Sequence, residues 1–134
     1  MGLAAVTYAG AIAYPLYRFL ADPAEEAAEL AKVTEMEIPD DELPEPGSAT
    51  IFQFGIRKAI LIRGADDAMV CFSAICTHLG CTVDYQEDQD RIYCACHGGV
   101  YDAETGQNVA GPPPRPLEEY RVERADGKVI IHRS

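Results

Sequence analysis

Three observations predict a small all-β head that follows an N-terminal helix and a tether. Short runs of β-favouring residues, separated by turns rich in Pro, Asp and Gly, fill the chain after Lys32. An Asp126-Gly127 pair joins the last two of these runs, as in a hairpin. Residues 2–17 differ from the rest of the chain because they contain no charged side chain. With 134 residues, the chain is long enough for one real core.

Residues 1–20 predict a membrane anchor helix. A full span needs about 20 apolar residues, and the uncharged stretch falls short of that. Tyr14, Tyr17 and Arg18 are typical of the interfacial end of a spanning helix. We therefore expect either that the natural chain begins further upstream or that neighbouring subunits complete the helix. A core helix of a soluble domain is the alternative, but the stretch has no polar face.

Residues 21–47 predict a tether or hinge and the first strand. Ala21–Lys32 is rich in Ala and Glu and has too few large apolar residues to form a core. Asp22-Pro23 has the pattern of a helix start, with Asp as N-cap and Pro in the first turn. A surface helix without a mechanical role fits these residues equally well. Val33–Ile38 is the first β-favouring run.

Residues 48–134 predict the head itself. The turns Pro39–Gly47 and Gly64–Asp67 separate its first runs. The expected strands are Thr50–Phe54, Ala59–Arg63, Met69–Ser73, Tyr120–Arg124 and Lys128–His132. A compact unit over residues 76–116 is inserted between these strands, so we expect its functional residues on loops.

The charge balance excludes one class of function. The chain has 11 basic and 22 acidic side chains and a net charge of −11. Such a surface repels phosphate backbones, which argues against nucleic-acid binding.

Two cysteine–histidine boxes carry the chemistry. The first box is Cys76-Thr-His78-Leu-Gly-Cys81, and the second box is Cys94-Ala-Cys96-His97-Gly98. A mixed-ligand 2Fe–2S cluster needs two thiolates on one iron and two imidazoles on the other. That demand predicts Cys76 and Cys94 on one iron, with His78 and His97 on its partner. Cys81 and Cys96 are surplus, sit at equivalent places in the two loops and are free to bridge them. A structural zinc site is the rival, but zinc fingers usually have a Cys pair followed by a His pair.

Both boxes resemble those of the Rieske iron–sulfur family, and within it the membrane quinol-oxidising subunits of cytochrome bc/bf-type complexes. The proline loop, Gly111–Pro116, extends the resemblance, which continues more loosely from Lys32 to the C-terminus. The resemblance implies an antiparallel β-sandwich head with cluster-binding loops, a Cys81–Cys96 disulfide, and a proline loop that covers the cluster. It also implies the same four ligands: Cys76, His78, Cys94 and His97.

The resemblance further implies roles for individual residues. His78 and His97 couple proton uptake to electron uptake, and neutral imidazoles in place of thiolates raise the cluster potential. Tyr101 bonds a ligand sulfur, and Leu79 is an apolar tip that docks against a quinone pocket. Gly99 stands where many members have a serine that bonds a bridging sulfide. Without that bond we expect a lower potential, which favours menaquinol as the quinol.

The partners implied by the resemblance are a cytochrome b-type subunit, which supplies the quinone pocket, and a c-type cytochrome or plastocyanin as acceptor. A disulfide persists only in an oxidising compartment. We therefore expect a single-pass protein of the cytoplasmic membrane with its head on the periplasmic side. Three alternatives remain open: the small subunit of an arsenite-oxidase-like enzyme, a soluble Rieske ferredoxin, and a zinc-stapled interaction domain. Soluble ferredoxins normally lack both surplus cysteines.

Overall fold

A computed structural model describes the backbone of residues 2–133 and the side chains of residues 9–133. The chain divides after Lys32 into a helical unit and a β unit. The helical unit is one helix, α1 (Gly2–Ala31). The remaining 102 residues, from Val33 onward, form the second unit, which is the head.

Helix α1 continues through both of its prolines, Pro15 and Pro23. The expectation that a helix starts at Asp22-Pro23 is therefore wrong. Arg18 Nε donates to Asp22 Oδ2 at 2.9 Å, so the Asp22 carboxylate is engaged by the preceding turn and caps no new helix. The surrounding Ala, Leu and Glu residues favour helix strongly enough to accommodate the missing proline N–H.

The exposed side chains of α1 are largely apolar before Asp22. The large ones are Ile12, Tyr14, Leu16, Tyr17, Phe19 and Leu20. Among the described residues, however, no helix combines the length and the apolar character that a bilayer crossing requires.

Among its described residues, the head has ten antiparallel strands in two sheets. The larger sheet contains β1 (Glu35–Pro39), β2 (Ser48–Phe54), β3 (Arg57–Arg63), β4 (Met69–Ser73), β9 (Glu119–Ala125) and β10 (Lys128–His132). The smaller sheet contains β5 (Asp84–Gln86), β6 (Arg91–Cys94), β7 (Gly99–Asp102) and β8 (Asn108–Ala110). The strand orders are β1-β10-β9-β4-β3-β2 and β5-β6-β7-β8. The smaller sheet is thus inserted whole between β4 and β9.

The antiparallel β head predicted from the sequence is confirmed. All six predicted strands are present, with ends within two residues of the predicted ones. The predicted hairpin pairs Ala125 with Lys128 across Asp126-Gly127. The four strands of the smaller sheet, β5 to β8, were not predicted, because each has only three or four residues.

Strand β3 is buried on both faces and separates two cores. Ile60 and Ile62 pack toward the smaller sheet, whereas Ala59 and Leu61 belong to a core within the larger sheet. The larger sheet is strongly curved around that second core. The rings of Phe54 on β2 and Tyr120 on β9 lie 5.3 Å apart, although three strand spacings would separate them by about 14 Å in a flat sheet.

The core between the two sheets positions the boxes. It contains Cys76, Cys94 and Tyr101 together with Ile60, Phe72 and Ile92. Because these side chains are held in a close-packed interior, the first residue of each box is fixed relative to the other.

Candidate metal centre

The two boxes fold as matching turns. The carbonyl of Cys76 accepts a hydrogen bond from the N–H of Gly80, and that of Cys94 accepts one from Gly98, both at 3.0 Å. Gly80 and Gly98 have φ of +80° and +69°, a region that favours glycine. Each turn therefore begins with a buried, free cysteine and ends with a glycine of positive φ.

The histidines occupy different positions in these turns. His78 is the third residue of its turn and His97 is the fourth, yet the two rings meet edge to face with centroids 4.8 Å apart. Nδ1 of His78 is buried and has no hydrogen-bond partner among the described residues. A buried nitrogen without a partner is costly, so its environment fits a group that binds a metal ion.

The sulfurs of Cys76 and Cys94 lie next to each other, and each affects the pKa of the other. Burial raises the pKa of the Cys76 thiol, but hydrogen bonds from Tyr101 and from the backbone of His78 outweigh it, so this pKa lies below its ordinary value. Burial and the neighbouring Cys76 sulfur raise the pKa of Cys94. Backbone N–H groups of Cys96 and His97 point at the Cys94 sulfur, as those of His78 and Leu79 point at Cys76. Backbone donors thus favour the thiolate at both sulfurs, but they outweigh burial only at Cys76, where Tyr101 adds a further hydrogen bond.

A disulfide between Cys81 and Cys96 joins the two boxes, as the sequence resemblance implied. Its two sulfurs and that of Cys94 lie within 4.8 Å of one another. The half-cystines do not occupy equivalent places, because Cys81 follows the turn glycine of its box whereas Cys96 precedes Gly98 by two residues. The bridge therefore links the exit of the first turn to the middle of the second.

Tyr101 is buried on β7 and connects three parts of the site. Its hydroxyl lies 3.3 Å from Cys76 Sγ and accepts from Thr77 N–H at 2.9 Å. The Thr77 hydroxyl in turn donates to the carbonyl of Arg115 at 2.7 Å. The sequence did not point to Thr77, whose only signal was its place between Cys76 and His78. This series of bonds ties the first box to β7 and to the proline loop.

The proline loop lies directly on the second box. A Cβ atom added to Gly99 would come within 2.7 Å of Pro113 Cγ, and one added to Gly111 within 2.5 Å of the Gly98 carbonyl oxygen. Asn108 Nδ2 donates to the Pro113 carbonyl at 2.9 Å and fixes the loop from its other side. A serine at position 99 consequently has no room while Pro113 keeps its place.

Three further residues lie in different parts of the head. Leu79 is 70% exposed, so it is not a core residue. Cys71 is buried in the larger sheet, where burial raises its pKa to about 12. His132 lies on β10 with Nδ1 3.2 Å from Glu35. The geometry therefore brings Cys76, His78, Cys94, His97 and Tyr101 together and leaves His132 in the other sheet.

Comparison with known proteins decides the family. The sequence model of the Rieske [2Fe-2S] domain matches residues 34–121, which includes both boxes and the proline loop. The chain belongs to the Rieske family. The family resemblance drawn from the two boxes is confirmed, and the cofactor of this Rieske head is a 2Fe–2S cluster.

Several relatives of the Rieske head are subunits of larger complexes. The cytochrome b6-f complex iron-sulfur subunit of Chlorobaculum tepidum is 37% identical over 88% of this chain and 62% of its own length. The menaquinol:cytochrome c reductase iron-sulfur subunit of Bacillus subtilis is 32% identical over 92% of this chain and 80% of its own. The chain spans less than two thirds of the length of the Chlorobaculum relatives it matches.

Solved structures agree with the assignment of the chain to the Rieske family. A chain of a hyperthermophilic respiratory Complex III superimposes with a TM-score of 0.58 and 30% identity, over 96% of this chain and 94% of that one. The ferredoxin of carbazole 1,9a-dioxygenase from Nocardioides aromaticivorans has a TM-score of 0.63 but 23% identity, over 75% of this chain. The ferredoxin therefore shows the shared fold alone.

Replacing Tyr101 with Phe tests the bonds that tie the Rieske site together. Tyr101→Phe removes the partner of the Thr77 N–H and of the Cys76 sulfur, so we expect a loss of about 1–3 kcal/mol in stability. The cluster potential should also fall, because a donor to a ligand sulfur is lost. Redox titration and chemical unfolding measure the two effects. Tyr93→Phe, on β6 of the same sheet, is the matched control, and equal potentials for the two variants would contradict the assignment.

Proposed function

We propose that the chain is the Rieske subunit of a quinol–cytochrome c (or plastocyanin) oxidoreductase of cytochrome bc or bf type. The observation that carries this proposal is the convergence of two buried thiols and two edge-to-face imidazoles on disulfide-linked turns. The names of the relatives support it, since they are subunits of cytochrome b6-f and menaquinol:cytochrome c reductase complexes.

The proposed ligands are Cys76 and Cys94 on one iron and His78 and His97 on the other. This assignment fits the donors present, because the two free sulfurs are paired and the buried Nδ1 of His78 lacks any other partner. Cys81 and Cys96 are excluded from the ligand set, since their sulfurs are bonded to each other. A zinc-stapled domain would use the same donor types but does not account for the family match.

The cluster, when bound, supplies a one-electron carrier whose two imidazole ligands can also hold a proton. His97 is exposed and His78 is half-buried, so the distal ring nitrogen of His97 is the more accessible to a quinol hydroxyl. The backbone donors around Cys76 and Cys94 stabilise negative charge on the sulfurs. Leu79, exposed beside His78, gives this tip an apolar contact for a quinone pocket.

The remaining parts of the proposal concern the assembly. Residues 1–20 act as the membrane anchor, residues 21–47 as the tether and first strand, and residues 48–134 as the head on the periplasmic side of the cytoplasmic membrane. The exposed apolar side chains of α1 support an apolar environment for that helix. A cytochrome b-type subunit provides the quinone pocket, and a c-type cytochrome accepts the electron.

We propose menaquinol as the quinol. The Bacillus subtilis and Geobacillus thermodenitrificans relatives are named as menaquinol:cytochrome c reductase subunits. Gly99 removes the serine donor that raises the potential in other members, and Pro113 occupies the space that a side chain would need. A redox titration should therefore give a midpoint potential below that of serine-bearing relatives measured in parallel, and an equal or higher potential would contradict the choice of menaquinol.

The ligand set is tested by removing one imidazole at a time. We expect His78→Ala and His97→Ala to abolish the low-temperature EPR signal of the reduced cluster, because each leaves an iron without a ligand. His132→Ala removes a histidine from the same head and should keep the full signal. Iron and acid-labile sulfide are measured in all three proteins. A wild-type protein with zinc and no sulfide would overturn the proposed function.

A further inference from the structure

We propose that the groove beside the first box is a docking surface for an acidic face of the protein that accepts the electron. The inference rests on the proposed electron-transfer function. It specifies the charge of the partner's surface and the residues of this chain that contact that surface. The groove lies between the β2–β3 turn, the first box and the end of the proline loop, and has a volume of about 640 Å³.

The groove reaches the metal centre. Cys76 and His78 line its inner wall, so a protein seated there lies against a proposed ligand. Its rim carries two exposed apolar side chains, Ile56 and Leu79, which are 50% and 70% exposed. Exposed apolar side chains next to a redox centre suit a short-lived contact, since they become buried only when the partner is present.

The charge of the groove is opposite to that of the whole chain. Three of the 11 basic residues line it, Arg57, Lys58 and Arg115, against one of the 22 acidic residues, Glu118. Arg57 is paired with Glu118 at 3.4 Å, so Lys58 and Arg115 supply the excess positive charge. A chain of net charge −11 repels an acidic partner on average. Because the local charge of the groove is positive, we expect an acidic partner to approach the chain there.

Both cations project from backbone that is fixed by hydrogen bonds. The carbonyl of Lys58 accepts from Ala74 N at 2.9 Å, and that of Arg115 accepts from Thr77 Oγ1 at 2.7 Å. Arg115 also stands between Pro114 and Pro116, which restrict the loop on either side. Neither bond uses a side chain of Lys58 or Arg115, so both residues can be changed to Glu without removing these contacts.

The test is electron transfer from the reduced full-length protein, in mild detergent, to an acidic c-type cytochrome followed by stopped flow. Each encounter moves one electron from the reduced cluster to the ferric haem. For the wild type we expect a rate that falls as salt is added, despite the net negative charge of both proteins. Lys58→Glu with Arg115→Glu should slow the reaction about tenfold or more at low salt and reverse its salt dependence.

A second double variant separates local from global charge. Arg121→Glu with Lys128→Glu, on β9 and β10, makes the same change in net charge away from the groove. We expect it to keep the salt dependence of the wild type. Equal slowing by both double variants would overturn the proposal, as would a wild-type rate that rises with salt. The EPR signal and potential are recorded for every variant, so that loss of the cluster, which would contradict the proposed function, is distinguished from loss of docking.

Discussion

Replacing both half-cystines, Cys81→Ser with Cys96→Ser, is expected to lower the free energy of unfolding of the head by about 3 kcal/mol. The bridge closes a loop with a sequence separation of 15, and such a loop restricts the unfolded chain by about that amount. The effect on the site should be larger still. The bridge joins the two turns that carry the proposed ligands, so without it the boxes can separate and the cluster should be lost more rapidly.

Chemical unfolding followed by circular dichroism measures the loss of stability, and the decay of the EPR signal measures the loss of the cluster. A thiol reductant provides the control within the same experiment. The reductant should lower the free energy of unfolding of the wild type to that of the double variant. It should leave the free energy of unfolding of the double variant unchanged. Thiol counting verifies that the reductant has broken the bridge in the wild type. If the free energy of unfolding of that reduced wild type were unchanged, this expectation would be contradicted.

Most of the fold could be predicted because its signals are local. Turn residues such as Asp126-Gly127 and short β-favouring runs of about five residues specify strands without knowledge of distant contacts. The four strands of the smaller sheet have three or four residues each and carry no such signal, since they pair only with one another. The error at Asp22-Pro23 has the same origin, because Arg18, one turn earlier, engages the carboxylate that was expected to act as a cap.

The candidate site also has features that could be predicted from the sequence and features that could not. Spacing within each box was enough to point to Cys76, His78, Cys94 and His97, because ligand chemistry limits which residues can share a cluster. The packing of Pro113 on Gly99 could not be predicted from the sequence, since the two residues are 14 positions apart and come into contact only in the folded head. The link from Thr77 to Arg115 spans 38 positions and was missed for the same reason. Sequence therefore points to candidate ligands more readily than to the contacts that hold them.

Gly111→Ala is the second substitution for which we expect a large effect. Gly111 has φ of +84°, which costs an alanine about 1–2 kcal/mol. The new Cβ would also lie 2.5 Å from the Gly98 carbonyl oxygen and 2.9 Å from Gly99 Cα, and both are backbone atoms that cannot move aside without shifting the second box. With overpacking added, we expect a loss of roughly 2–5 kcal/mol. The proline loop should also lift from the second box and change the EPR spectrum of the reduced cluster.

Gly127→Ala isolates the part of this effect that comes from backbone conformation. Gly127 has φ of +74°, but no atom lies within 4 Å of an added Cβ. Its substitution should therefore cost about 1 kcal/mol and leave the EPR spectrum unchanged. The difference between the two variants measures how tightly the proline loop is held against the second box. If Gly111→Ala were no more destabilising than Gly127→Ala, the loop would yield to a single methyl group, and the lack of space for a side chain at Gly99 would no longer follow from Pro113.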